Sequence, residues 1–275
     1  MTKAASPQVD KEWRNVARSI NRALRPTARI TLCGHSYTLR GEARPEGSDR
    51  DYAVLSQLAS GKRCVLDVGA NVGLTSLVMG SAIAADGRIY AFEASETACH
   101  LIRDNVALND LSDRITVVNA LIAERSGLAI DFFGDAASGS ASIIPGYLAH
   151  HQPLRKATLA LDDFVADADC APELIKIDVE GAELRVIDGL LDTMREKRPL
   201  LFIELHSWAD LTVSDTADTL QQRLRPLDYK MIYLRTKEVI EDSSVLAGRG
   251  RCHVLACPAE SAFWVELADL DTTGL

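Results

Sequence analysis

The apolar run CVLDV contains one acid, Asp67, as its next-to-last residue. Gly69, Asn71 and Gly73 follow the run at alternate positions. Glycines at such positions let the backbone turn tightly and approach a small molecule without a Cβ atom in the way. A helical pattern comes next and would begin near Val72, which points its free N–H groups and positive dipole end at the ligand. This stretch therefore predicts a nucleotide or nucleoside site at the carboxyl end of a strand.

The spacing of these glycines differs from that of a dinucleotide-binding loop. The pattern G-x-G-x-x-G, begun at Gly69, would require glycine where the chain has Asn71 and Leu74. Glu93 ends the next apolar run, RIYAFE, in the place where an acid accepts both ribose hydroxyls. S-adenosylmethionine carries a sulfonium, an ammonium and a ribose but no phosphate, so these residue types favour it over NAD. A glycine-rich turn that binds no ligand is the alternative.

Two further strand ends carry acids and a histidine. Asp178 and Glu180 follow the run LIKI, and Glu204 and His206 close the run LLFIELH. Because the carboxyl ends of parallel strands meet at one sheet edge, these side chains are expected beside the glycine loop. Methyl transfer to an aliphatic hydroxyl benefits from a base, and His206 has the ordinary pKa closest to that task. Asp178 would orient the hydroxyl or share the base role, and Glu204 completes the predicted catalytic group.

Other roles for the same residues stay open. Carboxylates and an imidazole can bind a divalent metal, which would also lower the pKa of a bound hydroxyl. A metal is not favoured, because no H-x-H or H-x-x-E spacing supports it. Glu180 can instead cap the N-terminus of the following helix, where the helix dipole is positive. His206 can be a hydrogen-bonded loop residue.

The elements that must position these residues alternate along the chain. Short apolar runs separated by helical patterns indicate an α/β fold with a parallel sheet covered on both faces. The strands are predicted at 63–68, 88–93, 115–121, 174–179 and 199–205, with helices near 73–84, 96–108, 181–195 and 214–225. Further strands are predicted at 128–133, 229–235 and 251–257, and a serine- and glycine-rich loop at 134–151 is expected to close over the site.

The first part of the chain has a different pattern. Apolar residues at helical spacing predict a helix over 8–24, and a hairpin is expected around Gly34 and His35. A third element, over 48–61, has a Ser/Asp start and a closing glycine, which are the two end signals of a helix. We therefore expect an N-terminal helical and hairpin extension over 1–60 and one larger domain over 61–275.

Composition limits the partners and the compartment. The chain has 275 residues, 47% of them hydrophobic, and a formal net charge of -9, which disfavours nucleic acid as a partner. It has neither an apolar leader nor a run of apolar residues long enough to span a membrane. The six cysteines form no CxxC pair and are interpreted as reduced thiols of a cytoplasmic protein.

Taken together, the motifs resemble the FkbM family of S-adenosylmethionine-dependent methyltransferases over about residues 60–207. The matching stretches, in the family's order, are VLDVGANVGLTS, IYAFEAS, DNVALNDLSDRITVVNALIAERSG, LDDFV, LIKIDVEGAELRVIDGL and PLLFIELH. The resemblance implies the class I methyltransferase (Rossmann-like) fold, whose seven-stranded, mostly parallel sheet has an antiparallel strand 7 and helices on both faces. It also implies methyl transfer to a hydroxyl of a sugar, glycoside or polyketide-type small molecule.

The resemblance also assigns cofactor contacts residue by residue. The methionine end of S-adenosylmethionine would lie on the glycine loop and the ribose on Glu93. The position of the strand ends, rather than the resemblance, places Asp178 near the methyl group. The residues of the loop are Asp67, Gly69, Ala70, Asn71 and Gly73, and those beside the adenosine are Ala94, Ser95, Asn119 and Ala120. Asn119 departs from the aspartate that related enzymes often have there, and its amide could pair with the adenine amino group.

Several functional alternatives stay open at this point. The acceptor could be methylated on nitrogen or carbon, or the chain could bind S-adenosylmethionine without catalysis. An NAD-linked oxidoreductase is disfavoured by Asn71 and Leu74. The sequence leaves the identity of the small-molecule acceptor and the formation of a homo-oligomer undecided.

Overall fold

A computed structural model describes residues 26–40, 51–134, 141–142, 153–207, 211–273 and 275. The helix expected over 8–24 and nearly all of the loop expected to close over the site at 134–151 lie outside the described residues. No helix within the described part of the chain has the length and apolar character needed to cross a membrane.

The described chain begins with the expected hairpin. Strand β1 (Thr27–Leu32) pairs antiparallel with β2 (His35–Arg40). The two residues between them, Cys33 and Gly34, have φ values of 49° and 77°, the positive angles of a tight hairpin turn. Helix α1 (Asp51–Ala59) follows and ends before Gly61, as its closing signal indicates.

A large sheet forms the centre of the molecule. The remaining strands are β3 (Cys64–Val68), β4 (Arg88–Glu93), β5 (Ile115–Asn119), β6 (Leu121–Ile122), β7 (Ala129–Gly134), β8 (Ala141–Ser142), β9 (Leu154–Leu159), β10 (Leu174–Ile177), β11 (Leu200–His206), β12 (Tyr229–Tyr233), β13 (Glu238–Val239) and β14 (Arg251–Pro258). The central order is β13-β12-β14-β11-β10-β3-β4-β5. Strands β5, β4, β3, β10 and β11 run parallel, and β14 runs antiparallel to both β11 and β12. The class I sheet with an antiparallel strand 7 is therefore confirmed, with the two-residue β13 as an eighth strand.

The second sheet has the order β6-β9-β7-β8. Its presence corrects one predicted strand, because the run expected over 115–121 divides at Ala120 between β5 and β6, which belong to different sheets.

The helices predicted within the described residues are present, one of them divided in two. The helices after α1 are α2 (Leu74–Ala82), α3 (Glu96–Leu108), α4 (Leu161–Asp167), α5 (Glu183–Asp188), α6 (Leu191–Lys197), α7 (Val213–Leu224) and α8 (Phe263–Glu266). Of these, α4 and α8 are short helices that the sequence patterns did not predict. The helix predicted over 181–195 is wrong as a single element, since α5 ends before Gly189. A Cβ atom at Gly189 would lie 2.3 Å from the carbonyl oxygen of Ala123, so the backbone passes too close to its neighbour for another residue.

Two apolar layers hold the sheet between its helices. Residues of one face, such as Val65 and Phe202, pack with the hairpin and with helices α1, α2 and α3. Residues of the other face, such as Leu66 and Ile203, pack with α4, α5, α6 and α7. Because successive residues of a strand point to opposite faces, both layers are built from the same continuous apolar runs.

Candidate functional site

The glycine loop joins β3 to α2 at the carboxyl edge of the sheet. Gly69, Asn71 and Gly73 all have positive φ values, and Gly73 directly precedes α2, which starts at Leu74 rather than near Val72. The N–H groups of Gly69 and Ala70 both donate to the carbonyl of Phe92 at the end of β4. The next strand thus holds the loop, and the N-cap residue Gly73 supplies no side-chain hydrogen bond to the start of α2.

Gly69 is required by the protein itself as well as by any ligand. A Cβ atom at this position would lie 1.8 Å from the carbonyl oxygen of Asp178, which is far inside contact distance. The loop therefore packs directly on the backbone that follows β10 and brings the cofactor loop beside the acidic strand end.

Glu93 lies at the end of β4 with both carboxylate oxygens held by backbone N–H groups. Oε2 accepts from the N–H of Asn71 at 2.9 Å, and Oε1 accepts from that of Ser95 at 2.7 Å. Burial raises the pKa of Glu93, although these two N–H groups and Lys176 oppose the shift. Each oxygen can accept a further hydrogen bond, so the side chain can also bind a diol, but its assignment to the ribose stays a prediction.

Asp67 is fully buried beneath the loop and is held by protein groups. Its Oδ2 accepts hydrogen bonds from the hydroxyls of Thr75 and Ser76, at the start of α2. Its Oδ1 lies 3.4 Å from Nζ of Lys176. Its predicted contact with the methionine end stays a prediction, and every contact that the structure gives it stabilises the loop from below.

Lys176 contributes to the position of the glycine loop and of Asp178, a role that the sequence did not define. It lies in β10 and is buried, and its Nζ donates to the carbonyl of Gly69 at 2.9 Å and lies 3.3 Å from Asp178 Oδ2. Burial alone would lower its pKa, but the carboxylates of Asp178, Asp67 and Glu204 outweigh burial and raise it. The signal was one lysine within the apolar run LIKI, because a buried lysine requires partners.

The predicted adenosine contacts lie at the ends of β4 and β5. Asn119 is exposed, and its Nδ2 donates to the carbonyls of Glu93 and Ala94, so only its amide oxygen is left to accept from an adenine amino group. Ser95 begins α3, and its hydroxyl accepts from the N–H of Ala98. Ala120 follows β5, and its N–H donates to the backbone carbonyl of Glu93.

The structure brings the predicted catalytic residues together around His206. Its Nδ1 lies 2.9 Å from Oε1 of Glu183, a buried residue of α5 that the prediction did not include. Its Nε2 faces three carboxylates: Glu204 and Glu180 at 3.6 Å and Asp178 at 3.9 Å. We call these five residues the acidic cluster. Convergence of the ends of β10 and β11 explains the arrangement.

The charge state of His206 bears on its predicted role. Burial lowers its pKa, but the hydrogen bond that Nδ1 donates to Glu183 and the charges of Asp178 and Glu180 outweigh burial and raise the pKa to about 9. A raised pKa favours the cationic form of the imidazole at pH 7, and a cation cannot accept a proton. The assignment of His206 as the base stays a prediction, and this environment does not favour it.

A second histidine lies on the other side of Glu204. His253 of β14 has its Nε2 2.9 Å from Oδ2 of Asp51 and 3.5 Å from Oε2 of Glu204. Burial lowers its pKa, but the nearby carboxylates of Asp51 and Glu204 outweigh burial and raise it to about 9. The strand register places His253 opposite Glu204, and a single sequence carries no signal for that pairing.

Two sets of side chains have the composition and spacing of metal ligands. They are Asp178, Glu204 and His206, and Asp51, Glu204 and His253; in each set the ligand atoms lie within 4.8 Å of one another. Both sets share Glu204, which therefore lies between two imidazoles.

Comparison with known protein families decides the family. The model described as "Methyltransferase FkbM domain" matches residues 67–231, which include the glycine loop, Glu93 and the acidic cluster. The chain belongs to the FkbM methyltransferase domain family. The resemblance noted from the sequence is thereby confirmed.

Individual relatives of this FkbM-family chain are distant. The AMB antimetabolite synthetase AmbE of Pseudomonas aeruginosa is 29% identical over 198 residues, which are 58% of this chain but only 9% of that protein. An FkbM methyltransferase from Methylobacillus flagellatus KT has a TM-score of 0.47 and 19% identity, over 72% of this chain and 44% of that one. TYW2 of M. jannaschii, solved in complex with AdoMet, has a TM-score of 0.42 and 14% identity, over 84% of each chain.

Proposed function

We propose that this chain is an S-adenosylmethionine-dependent methyltransferase that methylates a hydroxyl group of a small molecule. The observation that carries the proposal is the position of Glu93. Its carboxylate is fixed by two backbone N–H groups, beside a glycine loop whose spacing differs from that of dinucleotide-binding loops. The acidic cluster lies at the same sheet edge. Membership of the FkbM family supports the reaction class.

The cofactor would lie across the carboxyl ends of β3 and β4. Glu93 would accept the ribose hydroxyls, and Asp178 would lie near the methyl group. Asp67, Gly69, Ala70, Asn71 and Gly73 form or support the wall at the methionine end, and Ala94, Ser95, Asn119 and Ala120 border the adenosine. Since Asp67 is buried, its part is to hold the loop through Thr75, Ser76 and Lys176.

The reaction is an in-line displacement. The acceptor oxygen forms a bond to the methyl carbon, the carbon–sulfur bond breaks, its electron pair remains on sulfur, and the hydroxyl proton passes to a base. Because the raised pKa of His206 favours its cationic form, we assign the proton to Asp178, a partly exposed carboxylate beside the glycine loop. His206 then positions the carboxylates around it, which include Asp178 and Glu204.

The acceptor class is supported by the relative rather than by a described pocket. AmbE is an antimetabolite synthetase, which favours a small-molecule natural product as the acceptor. A hydroxyl on a sugar, glycoside or polyketide-type compound needs the base chemistry that the acidic cluster can supply. A chain that only bound S-adenosylmethionine would have no need of this cluster.

The test begins with ligand binding. S-adenosylmethionine and S-adenosylhomocysteine at 100 times their dissociation constants should each stabilise the fold by about 2.7 kcal/mol in a thermal-shift experiment, and NAD should not. Release of S-adenosylhomocysteine is then measured across a panel of hydroxylated metabolites and glycosides, and the product is identified by NMR. An N-methyl or C-methyl product would contradict the O-methyl assignment. Cofactor binding without turnover on any compound, with the amine and carbon acceptors included, would favour the non-catalytic alternative.

A further inference from the structure

We propose that Asp178, Glu204 and His206 bind a divalent cation at the acidic cluster. Cation binding itself does not depend on the methyltransferase assignment. The use of the cation in catalysis rests on the proposed function, because the cluster lies beside the glycine loop.

The first argument is the spacing around Nε2 of His206. An imidazole paired directly with a carboxylate closes to hydrogen-bond distance, yet the three carboxylates facing Nε2 stay at 3.6, 3.6 and 3.9 Å. Nitrogen and oxygen ligands that lie about 2.1 Å from a shared ion are themselves about 3–3.5 Å apart. The arrangement is therefore close to a coordination shell and too open for a hydrogen bond.

The second argument is the partner of the other ring nitrogen. Nδ1 of His206 is hydrogen-bonded at 2.9 Å to Glu183, which is 1% exposed and also accepts from the N–H of Gly181. Metal-binding histidines commonly donate their second N–H to a carboxylate, which fixes the tautomer and turns the free lone pair toward the ion. Glu183 holds His206 in that orientation, with Nε2 toward the three carboxylates.

A control lies within the same molecule. His253 also faces Glu204, but its Nε2 closes to 2.9 Å on Asp51. Nε2 of His253 thus has one carboxylate oxygen at 2.9 Å, although the two groups are not aligned as a hydrogen bond, and Glu204 at 3.5 Å. Nε2 of His206 differs in facing three carboxylates at 3.6, 3.6 and 3.9 Å.

A third argument comes from Glu204. This residue is 4% exposed, and its Oε1, the oxygen nearest His206, is buried and accepts no hydrogen bond of acceptable geometry from the described residues. Nη1 of Arg251 lies 2.9 Å from this oxygen, but its side chain is 66% exposed. A buried carboxylate oxygen without a well-aligned donor is costly, and a cation at the cluster would satisfy it.

The donor set indicates the class of ion. One imidazole and two carboxylates, with Glu180 as a further carboxylate, suit Mn²⁺, with Mg²⁺ and Zn²⁺ as competitors. Asp178 and Glu180 are 29% and 35% exposed, so the ion has a path from solvent and room for water or a substrate oxygen. A bound hydroxyl would have a lower pKa, and one of the carboxylates could then accept its proton.

The experiment measures Mn²⁺ binding to the full-length chain by calorimetry and by the loss of the free Mn²⁺ electron paramagnetic resonance signal. The matched variants are His206→Gln and His253→Gln, which make the same change on opposite sides of Glu204. His206→Gln should weaken Mn²⁺ binding at least about tenfold, and His253→Gln should change it less than about threefold. Glu183→Gln, which leaves all proposed ligands in place, should weaken binding by about 10- to 100-fold.

Several results would overturn the site. These are no binding to the wild-type chain below about 1 mM Mn²⁺, equal affinity in wild type and His206→Gln, or a loss in His253→Gln as large as that in His206→Gln. If His206→Gln does not fold, Glu183→Gln decides in the same way. Titration of the same preparations with S-adenosylmethionine separates the two proposals. Cofactor binding without Mn²⁺ binding rejects the cation and leaves the methyltransferase, and Mn²⁺ binding without cofactor binding does the reverse.

Discussion

Two buried acids at neighbouring strand ends have different surroundings and therefore different uses. Asp67 is held by two hydroxyls and lies 3.4 Å from a lysine, which directs it into the protein. Glu93 is held by backbone N–H groups only, and its carboxylate remains at the sheet edge. The sequence predicted both as cofactor residues because it reports residue type and order, whereas the direction of each side chain depends on partners elsewhere in the chain.

The pKa shift of Glu93 predicts a pH dependence of cofactor binding. Because burial raises this pKa, the carboxylate is protonated at a higher pH than an ordinary glutamate and then loses its charge as an acceptor. Affinity for S-adenosylmethionine should fall as the pH falls toward the raised pKa. Glu93→Gln should bind about 10- to 100-fold more weakly at pH 8 and show a flatter acid limb, measured by calorimetry between about pH 5 and 8.

Loss of folded protein does not explain a fall in cofactor affinity at low pH. An acid whose pKa is raised on folding binds its proton more tightly in the folded state, so protonation of Glu93 adds stability as the pH falls through the folded pKa. Thermal unfolding at each pH serves as the control. A loss of affinity below threefold in Glu93→Gln would remove this residue from the ribose site.

Gly69 and Gly34 form a matched pair for a second prediction. Both have φ near 78°, at 78° and 77°, but a Cβ atom meets a backbone oxygen at 1.8 Å in Gly69 and nothing within 4 Å in Gly34. Alanine at either position costs about 1–2 kcal/mol of left-handed strain. We expect Gly69→Ala to lower the free energy of unfolding by at least about 2 kcal/mol more than Gly34→Ala does, measured by urea titration. Equal losses would show that the loop can move away from Asp178 without cost.

At the scale of elements, the asparagine that follows helix α3 binds the hairpin as a neighbouring strand would. Oδ1 of Asn109 accepts from the N–H of Thr38 at 2.9 Å, and its Nδ2 donates to the carbonyl of the same residue at 2.8 Å. The free edge of β2 is therefore paired through a side-chain amide instead of another backbone.

Removal of that amide should loosen the hairpin. Asn109→Ala leaves both backbone groups of Thr38 without this partner, which should cost about 1–3 kcal/mol and speed amide hydrogen exchange in β2. His100→Ala, on an exposed position of the same helix, is the control and should leave exchange in β2 unchanged. Unaltered protection of Thr38 in Asn109→Ala would show that apolar packing of Tyr37 and Leu39 alone fixes the hairpin.

The elements also show where sequence patterns stop. Apolar periodicity identified the strands of the parallel sheet and most helices, because burial on both faces imposes that periodicity. It did not identify the division between α5 and α6, since Gly189 is required by a carbonyl of Ala123 rather than by a local signal. The short strand β13 was missed for a related reason, as two residues beside β12 have no period.

At the scale of the whole molecule, topology accounts for the predicted site. The rule that ligands bind at the carboxyl ends of parallel strands was sufficient to place the glycine loop, Glu93 and the acidic cluster at one edge. The antiparallel β14 does not follow that rule. Its register brings His253 to Glu204, and α1 then supplies Asp51, so this contact required the folded structure.

Asn105 of α3 connects the glycine loop to the N-terminal hairpin. It is fully buried, its Oδ1 accepts from the N–H of Arg40 in the hairpin, and its Nδ2 donates to the carbonyl of Val72 in the glycine loop. A ligand that shifts the loop must therefore shift one end of an amide whose other end holds β2. The turn of that hairpin carries Cys33, the exposed member of the six free cysteines. We therefore expect a dye on this thiol to report movement of the hairpin when a ligand displaces the glycine loop.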